Sequence, residues 1–116
     1  MNRLEILNYE GEGYFAPYRF DGWRVAFLNH AERFTRQGIS YLERHKETDE
    51  VFVLFAGQAT LLMGEEATEI KMLPGQLYVV KKDTWHNIIV SEDAKVLIVE
   101  NADTGCENTE YVEYHV

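Results

Sequence analysis

Tyr41-Leu42-Glu43-Arg44-His45-Lys46-Glu47-Thr48-Asp49-Glu50-Val51-Phe52-Val53-Leu54 is the stretch on which the fold turns. Successive side chains of an extended strand point to opposite faces, so Tyr41, Glu43 and His45 share one side. Val51 to Leu54, β-branched and aromatic, reads as a second strand. The polar segment Lys46–Asp49 between them has the length of a hairpin loop. In that register His45 stands opposite Glu50, and Glu43 opposite Phe52, all on the same face. Glu43, His45 and Glu50 therefore converge as three metal-capable groups, with Tyr41, Phe52 and Leu54 forming an apolar and aromatic wall behind them. The other face carries Leu42, Val51, Val53 and Phe55 beside Arg44, and needs cover from a second sheet or a second subunit.

Outward from this stretch the same texture continues. Short apolar bursts rich in Val, Ile, Phe, Tyr and Leu are separated by Gly, Pro, Asp and Asn. They predict strands near Trp23–Asn29, Ile39–Arg44, Glu50–Phe55, Ala59–Met63, Thr68–Met72, Leu77–Val80, Asn87–Val90 and Lys95–Val99. Strands this short and closely spaced predict an all-β sandwich or barrel closed on itself, because an open sheet would leave unpaired edges. Ala31 to Gln37 reads as a turn of helix or a loop. Residues 1–20, with Gly11, Gly13 and Pro17, read as an N-terminal arm, residues 21–100 as the barrel, and residues 101–116 as a polar tail ending in an edge strand, Tyr111–Val116. The whole chain is read as one domain.

Composition narrows the partners. Eleven Lys+Arg against twenty Asp+Glu leave a formal charge of −9, which repels nucleic-acid phosphates and anionic membrane surfaces. No run approaches a membrane span, and Arg3, Glu5, Glu10 and Glu12 interrupt the start where a secretion signal would be apolar. A cytoplasmic location is the expectation. Cys106 stands alone, so neither an internal disulfide nor a thiolate metal cluster is available. No Gly-x-Ser-x-Gly elbow or phosphate-cradling glycine loop is present.

The segment Glu43 to Gly57 resembles the first motif of the cupin family, His-x-His, three or four residues, Glu, six residues, Gly. His45 matches the second histidine, Glu50 the glutamate and Gly57 the glycine. The second cupin motif, Gly-x5-Pro-x-Gly-x2-His, is matched at Gly75 and His86. The resemblance spans about residues 39 to 90 and implies a double-stranded β-helix, or jelly roll, in which His45, Glu50 and His86 hold a divalent metal. Two positions depart from the pattern. Glu43 replaces the first histidine, and Lys81 and Asp83 replace the proline and glycine before the last one; Lys82-Asp83-Thr84 can turn the chain through aspartate chemistry.

Glu43 has three readings: a fourth ligand, an uncoordinated base acting on a bound substrate, or a hydrogen-bond acceptor for a neighbour. As a ligand it gives two imidazoles and two carboxylates, suited to Zn, Fe, Mn or Ni and formally neutral with a divalent ion. Each residue alone is more often structural than functional, and a metal-free barrel with these groups tied up in hydrogen bonds is the competing reading. Tyr41, Tyr78 and Trp85 are candidates to line a pocket mouth and stack on a ring or sugar. His30 reads as structural, His115 as part of the tail, and Asp49 as pointing away from Glu50. The functional expectation is a metal-binding protein with a small-molecule ligand and no assigned reaction; the alternative implied by the resemblance is a metal-dependent dioxygenase or a sugar or keto-acid isomerase. The apolar outer face and the two arms predict a homodimer.

Overall fold

The computed structural model describes residues 3–116. Ten strands follow in order: β1 (Tyr14–Phe20), β2 (Trp23–Asn29), β3 (Tyr41–His45), β4 (Glu50–Ala56), β5 (Ala59–Met63), β6 (Thr68–Lys71), β7 (Tyr78–Val80), β8 (His86–Val90), β9 (Lys95–Asn101) and β10 (Thr109–Glu113). One turn of 3-10 helix, Glu32–Phe34, lies between β2 and β3. The strands form two antiparallel five-stranded sheets, ordered β1-β2-β9-β4-β7 and β10-β3-β8-β5-β6. This is a jelly roll. The segment read as an arm contributes β1, and the tail contributes β10, which runs along β3 with Thr109 opposite His45.

Alternation sets what lies between the sheets. In β4, Glu50, Phe52 and Leu54 are buried while Val51 and Val53 are half-buried; in β9, Val96, Ile98 and Glu100 are buried while Leu97 and Val99 are half-buried. Leu28, Leu54, Val96, Leu61, Ile88 and Val90 belong to the core between the layers, where burial of each such side chain contributes about 1.5–3 kcal/mol. A second, smaller cluster of Ile39, Leu42, Leu62 and Ala67 is capped by Trp85, Ile89 and Tyr114.

The segment Lys46–Asp49 is not a hairpin. β3 pairs with β10 and β8, whereas β4 pairs with β7 and β9, so these four residues carry the chain from one sheet to the other. Backbone contacts fasten the crossing: the Lys46 N–H donates to the Asn108 carbonyl at 2.8 Å, and the Asn101 N–H to the Thr48 hydroxyl at 3.2 Å. Asp49 turns outward, accepting from the Lys82 N–H at 2.9 Å.

Two turns carry the sequence pattern in backbone form. Gly57 has φ +71°, and a methyl group there would sit 2.6 Å from the Ala94 Cα, a distance that only glycine avoids. Asp83 occupies the left-handed region at φ 62°, and its N–H donates to the His45 carbonyl at 2.8 Å. An aspartate thus performs the turn that a glycine would make more cheaply, tying the entry of β8 to β3.

Candidate metal centre

Three strands deliver four donors. Glu43 and His86 are cross-strand partners on β3 and β8, His45 lies two residues along β3 on the same face, and Glu50 comes from β4 on the facing sheet. One donor atom of each of Glu43, His45, Glu50 and His86 lies within 4.8 Å of all the others. Glu50 Oε1 is 3.1 Å from His45 Nε2 and 3.0 Å from His86 Nε2, while Glu43 Oε2 is 3.5 Å and 3.8 Å from the same two nitrogens. A metal with bonds of about 2.1 Å sets neighbouring donors roughly 3.0–3.4 Å apart in octahedral or tetrahedral geometry. Glu50 already stands at that spacing from both imidazoles, and Glu43 is a few tenths of an ångström outside it.

The imidazoles are held from behind. The Thr84 carbonyl can only accept, so His86 Nδ1, 2.9 Å away, carries a proton, and Nε2 is left facing the cluster, where it hydrogen-bonds Glu50 Oε1 at 3.0 Å. His45 Nδ1 meets the Thr109 hydroxyl at 3.0 Å. His45 Nε2 is buried with no hydrogen-bond partner, despite carboxylate oxygens nearby, because the directions are wrong for one. An inward nitrogen on a fixed ring suits an ion, which takes the place of the proton there. Glu43 is the most open of the four, its side chain 23% exposed against 7% or less for the others.

Charge is concentrated here. Burial would lower His45, but the Glu43 and Glu50 carboxylates beside its Nε2 outweigh it and carry the imidazole up to about 10. His86 is raised by the same contest between burial and Glu50. Burial alone would raise Glu50; the two histidines instead hold its carboxyl well below the usual carboxylate range.

A cavity of about 260 Å³ adjoins the cluster, and Tyr41 and Phe52 line it. Leu54 lies in the main core. Tyr78 packs on that core with its hydroxyl accepting from the Leu73 N–H, and Trp85 caps the smaller cluster under the Arg44 guanidinium, so these three do not reach the cavity wall. Arg44 points outward as expected and pairs with Glu110 at 2.6 Å. His30 is half-buried and His115 exposed, neither in the cavity.

The cavity also holds residues that reading the strands by motif passes over: Tyr14, Arg24, Arg33, Glu100 and Tyr111. Glu100 is 5% exposed, accepts from the Tyr14 hydroxyl, and pairs with Arg24 Nη2 at 2.8 Å. Burial and the charge of Glu50 push it up to about 7, against Tyr14 and Arg24. Parity was the available signal, because Arg24 shares its face with Ala26 and Leu28, and Glu100 shares its face with Val96 and Ile98. Charges on core-facing positions of apolar strands mark a lined cavity.

No protein-family model and no curated protein matches the sequence. Solved structures do match in shape. A Streptomyces PAC13 variant with uridine superposes with a TM-score of 0.70 at 9% identity, covering 93% of this chain and 84% of that one; Pac13 is described as a nucleoside dehydratase. A cupin-2 domain protein from Shewanella frigidimarina gives 0.62 at 18% identity over 80% and 84%, and a cupin from Bacteroides fragilis gives 0.62 at 13% over 89% and 88%. At these identities the likeness speaks for the fold, and with the two sheets and their order it establishes that this chain is a small cupin-fold protein.

Proposed function

We propose that the protein binds a divalent metal ion, of the Zn, Fe, Mn or Ni group, through His45, Glu50 and His86 with Glu43 as fourth ligand, beside a cavity that takes a small organic molecule. The convergence of four buried or half-buried donors from two facing sheets carries this reading, and the unpartnered His45 Nε2 supports it. Bound there, a divalent ion would supply Lewis acidity to a ligand in the cavity. The chain's own part is to fix both imidazoles from behind through Thr84 and Thr109 and to exclude water with Phe52 and Ile98. Elemental analysis of protein purified without a histidine tag tests the reading: about one ion per chain is expected, lost in His45→Ala. Unchanged metal content in that variant overturns the assignment.

A second reading is a metal-dependent enzyme with Glu43 as base. Its openness toward the cavity favours this, since a carboxylate that a ligand can reach is one that can take a proton from it. The Streptomyces structure with uridine supports a barrel of this size receiving an organic ligand. Metal-dependent turnover or dioxygen consumption on a substrate panel separates the two. A cytoplasmic homodimer, joined through the apolar outer face of the first sheet, completes the proposal.

A further inference from the structure

Two guanidinium groups line the cavity, and they are in different states. Arg24 is taken by Glu100. Arg33 has no carboxylate partner among the described residues. The residue is exposed, but its guanidinium lies 4.6 Å from the ring centroid of buried Phe34 and alongside Gly13. Stacking on Phe34 favours one placement of a side chain that is otherwise open to solvent. Beside it the rings of Tyr41 and Tyr111, both on the cavity wall, meet edge to face at 5.5 Å.

The charge count runs against the chain as a whole. The protein carries −9, yet three carboxylates in this cavity, Glu43, Glu50 and Glu100, face two arginines and, on the reading above, a divalent ion, leaving one positive charge in excess. The four ligands with their ion are neutral by themselves; Arg33 supplies the surplus. A volume of about 260 Å³ falls below the roughly 300–1,000 Å³ of pockets for drug-sized ligands, which favours a one-ring molecule.

We propose that Arg33 is the anion clamp of this site, and that the ligand is a small planar molecule carrying a carboxylate or phosphate, its ring against Tyr41 and Tyr111 and its anionic group on the Arg33 guanidinium. The proposal rests on the metal reading, which supplies the balance of charge. Its test uses probes of one ring: benzenesulfonate, an anion that ligates metals poorly, phenyl phosphate, and the uncharged methyl phenyl sulfone. Titration of the metal-loaded protein should show both anions binding at least about tenfold more tightly than the sulfone. Arg33→Gln should close that gap and Arg33→Lys restore part of it. Arg36→Gln, which removes the same charge from a pair with Glu69 outside the cavity, should leave it intact. Equal binding of sulfone and anions, survival of the gap in Arg33→Gln, its loss in Arg36→Gln, or no anion binding at about 10 mM would each overturn the proposal. Metal content measured on the same samples separates the two readings. An ion-loaded wild type without anion preference sinks the clamp alone, whereas a wild type that takes up no ion sinks the metal reading and with it the charge balance on which the clamp rests.

Discussion

His45 is gripped at one nitrogen and left open at the other. The Thr109 hydroxyl meets Nδ1 at 3.0 Å from the neighbouring strand β10, and Nε2 faces the carboxylates. If Nε2 is a metal ligand, Thr109 fixes the ring's orientation, and removing such a support typically weakens metal affinity by about 10–100-fold. Thr109→Val keeps the side chain's shape and deletes the hydroxyl. Competition against a chelator of known affinity should show that loss, with the metal-free protein's melting little changed. An affinity equal to wild type would mean that His45 does not hold the ion.

At the scale of elements, the turn between β4 and β5 is tightly constrained. Gly57 combines φ +71° with a close approach, the Ala94 Cα lying 2.6 Å from where a methyl would sit, whereas Gly64, at φ +80°, has open space around it. Both Gly→Ala changes incur the left-handed cost of about 1–2 kcal/mol, but Gly57→Ala must also push β9's entry aside, for a total of about 3 kcal/mol or more. Thermal melts should therefore place Gly57→Ala well below Gly64→Ala; equal midpoints would show that the Ala94 segment yields freely. This glycine was legible in the sequence, as were eight strands and the spacing of His45, Glu50 and His86, because period-two alternation and fixed motif distances are local properties. Pairing is not local. Four residues suit a hairpin or a crossing equally, so the route of Lys46–Asp49 between sheets could not be read. β1 was hidden by Pro17, which sits where the β1–β2 register shifts between Phe15 and Tyr18, an edge position that spares the ladder. Facing was readable where depth was not: Leu54 is on the inward face but below the cavity, and Trp85, adjacent to His86, falls on the opposite side.

On the molecule as a whole, the outer face of the first sheet is apolar. Trp23, Phe55 and Val79 are each 45–53% exposed, with Val51, Val53 and Val99 half-buried between them. A stable association buries about 800 Å² per partner, and exposed apolar residues gathered on one sheet face are the kind of surface such a contact uses. Sedimentation at micromolar concentration should show a dimer, weakened by Phe55→Lys; monomer alone would refute the interface. The cluster's charge makes a second whole-molecule prediction, in which two opposite slopes compete. In the metal-free protein His45 is carried from 6.5 up to about 10 and Glu100 from 4.5 up to about 7. Both bind protons more tightly folded than unfolded, so their contribution is full below the unfolded values and is lost as pH rises through the folded ones. Chelator-treated protein should accordingly lose stability from about pH 5 to 7 as Glu100 ionises and further toward pH 10 as His45 does. A metal ion displaces those protons, and its affinity grows as they leave. With the metal present, the stabilisation over the chelated protein should widen steadily between pH 6 and 9, read as the gap between the two melting curves. Parallel curves would mean that the ion, if bound, does not share its site with His45.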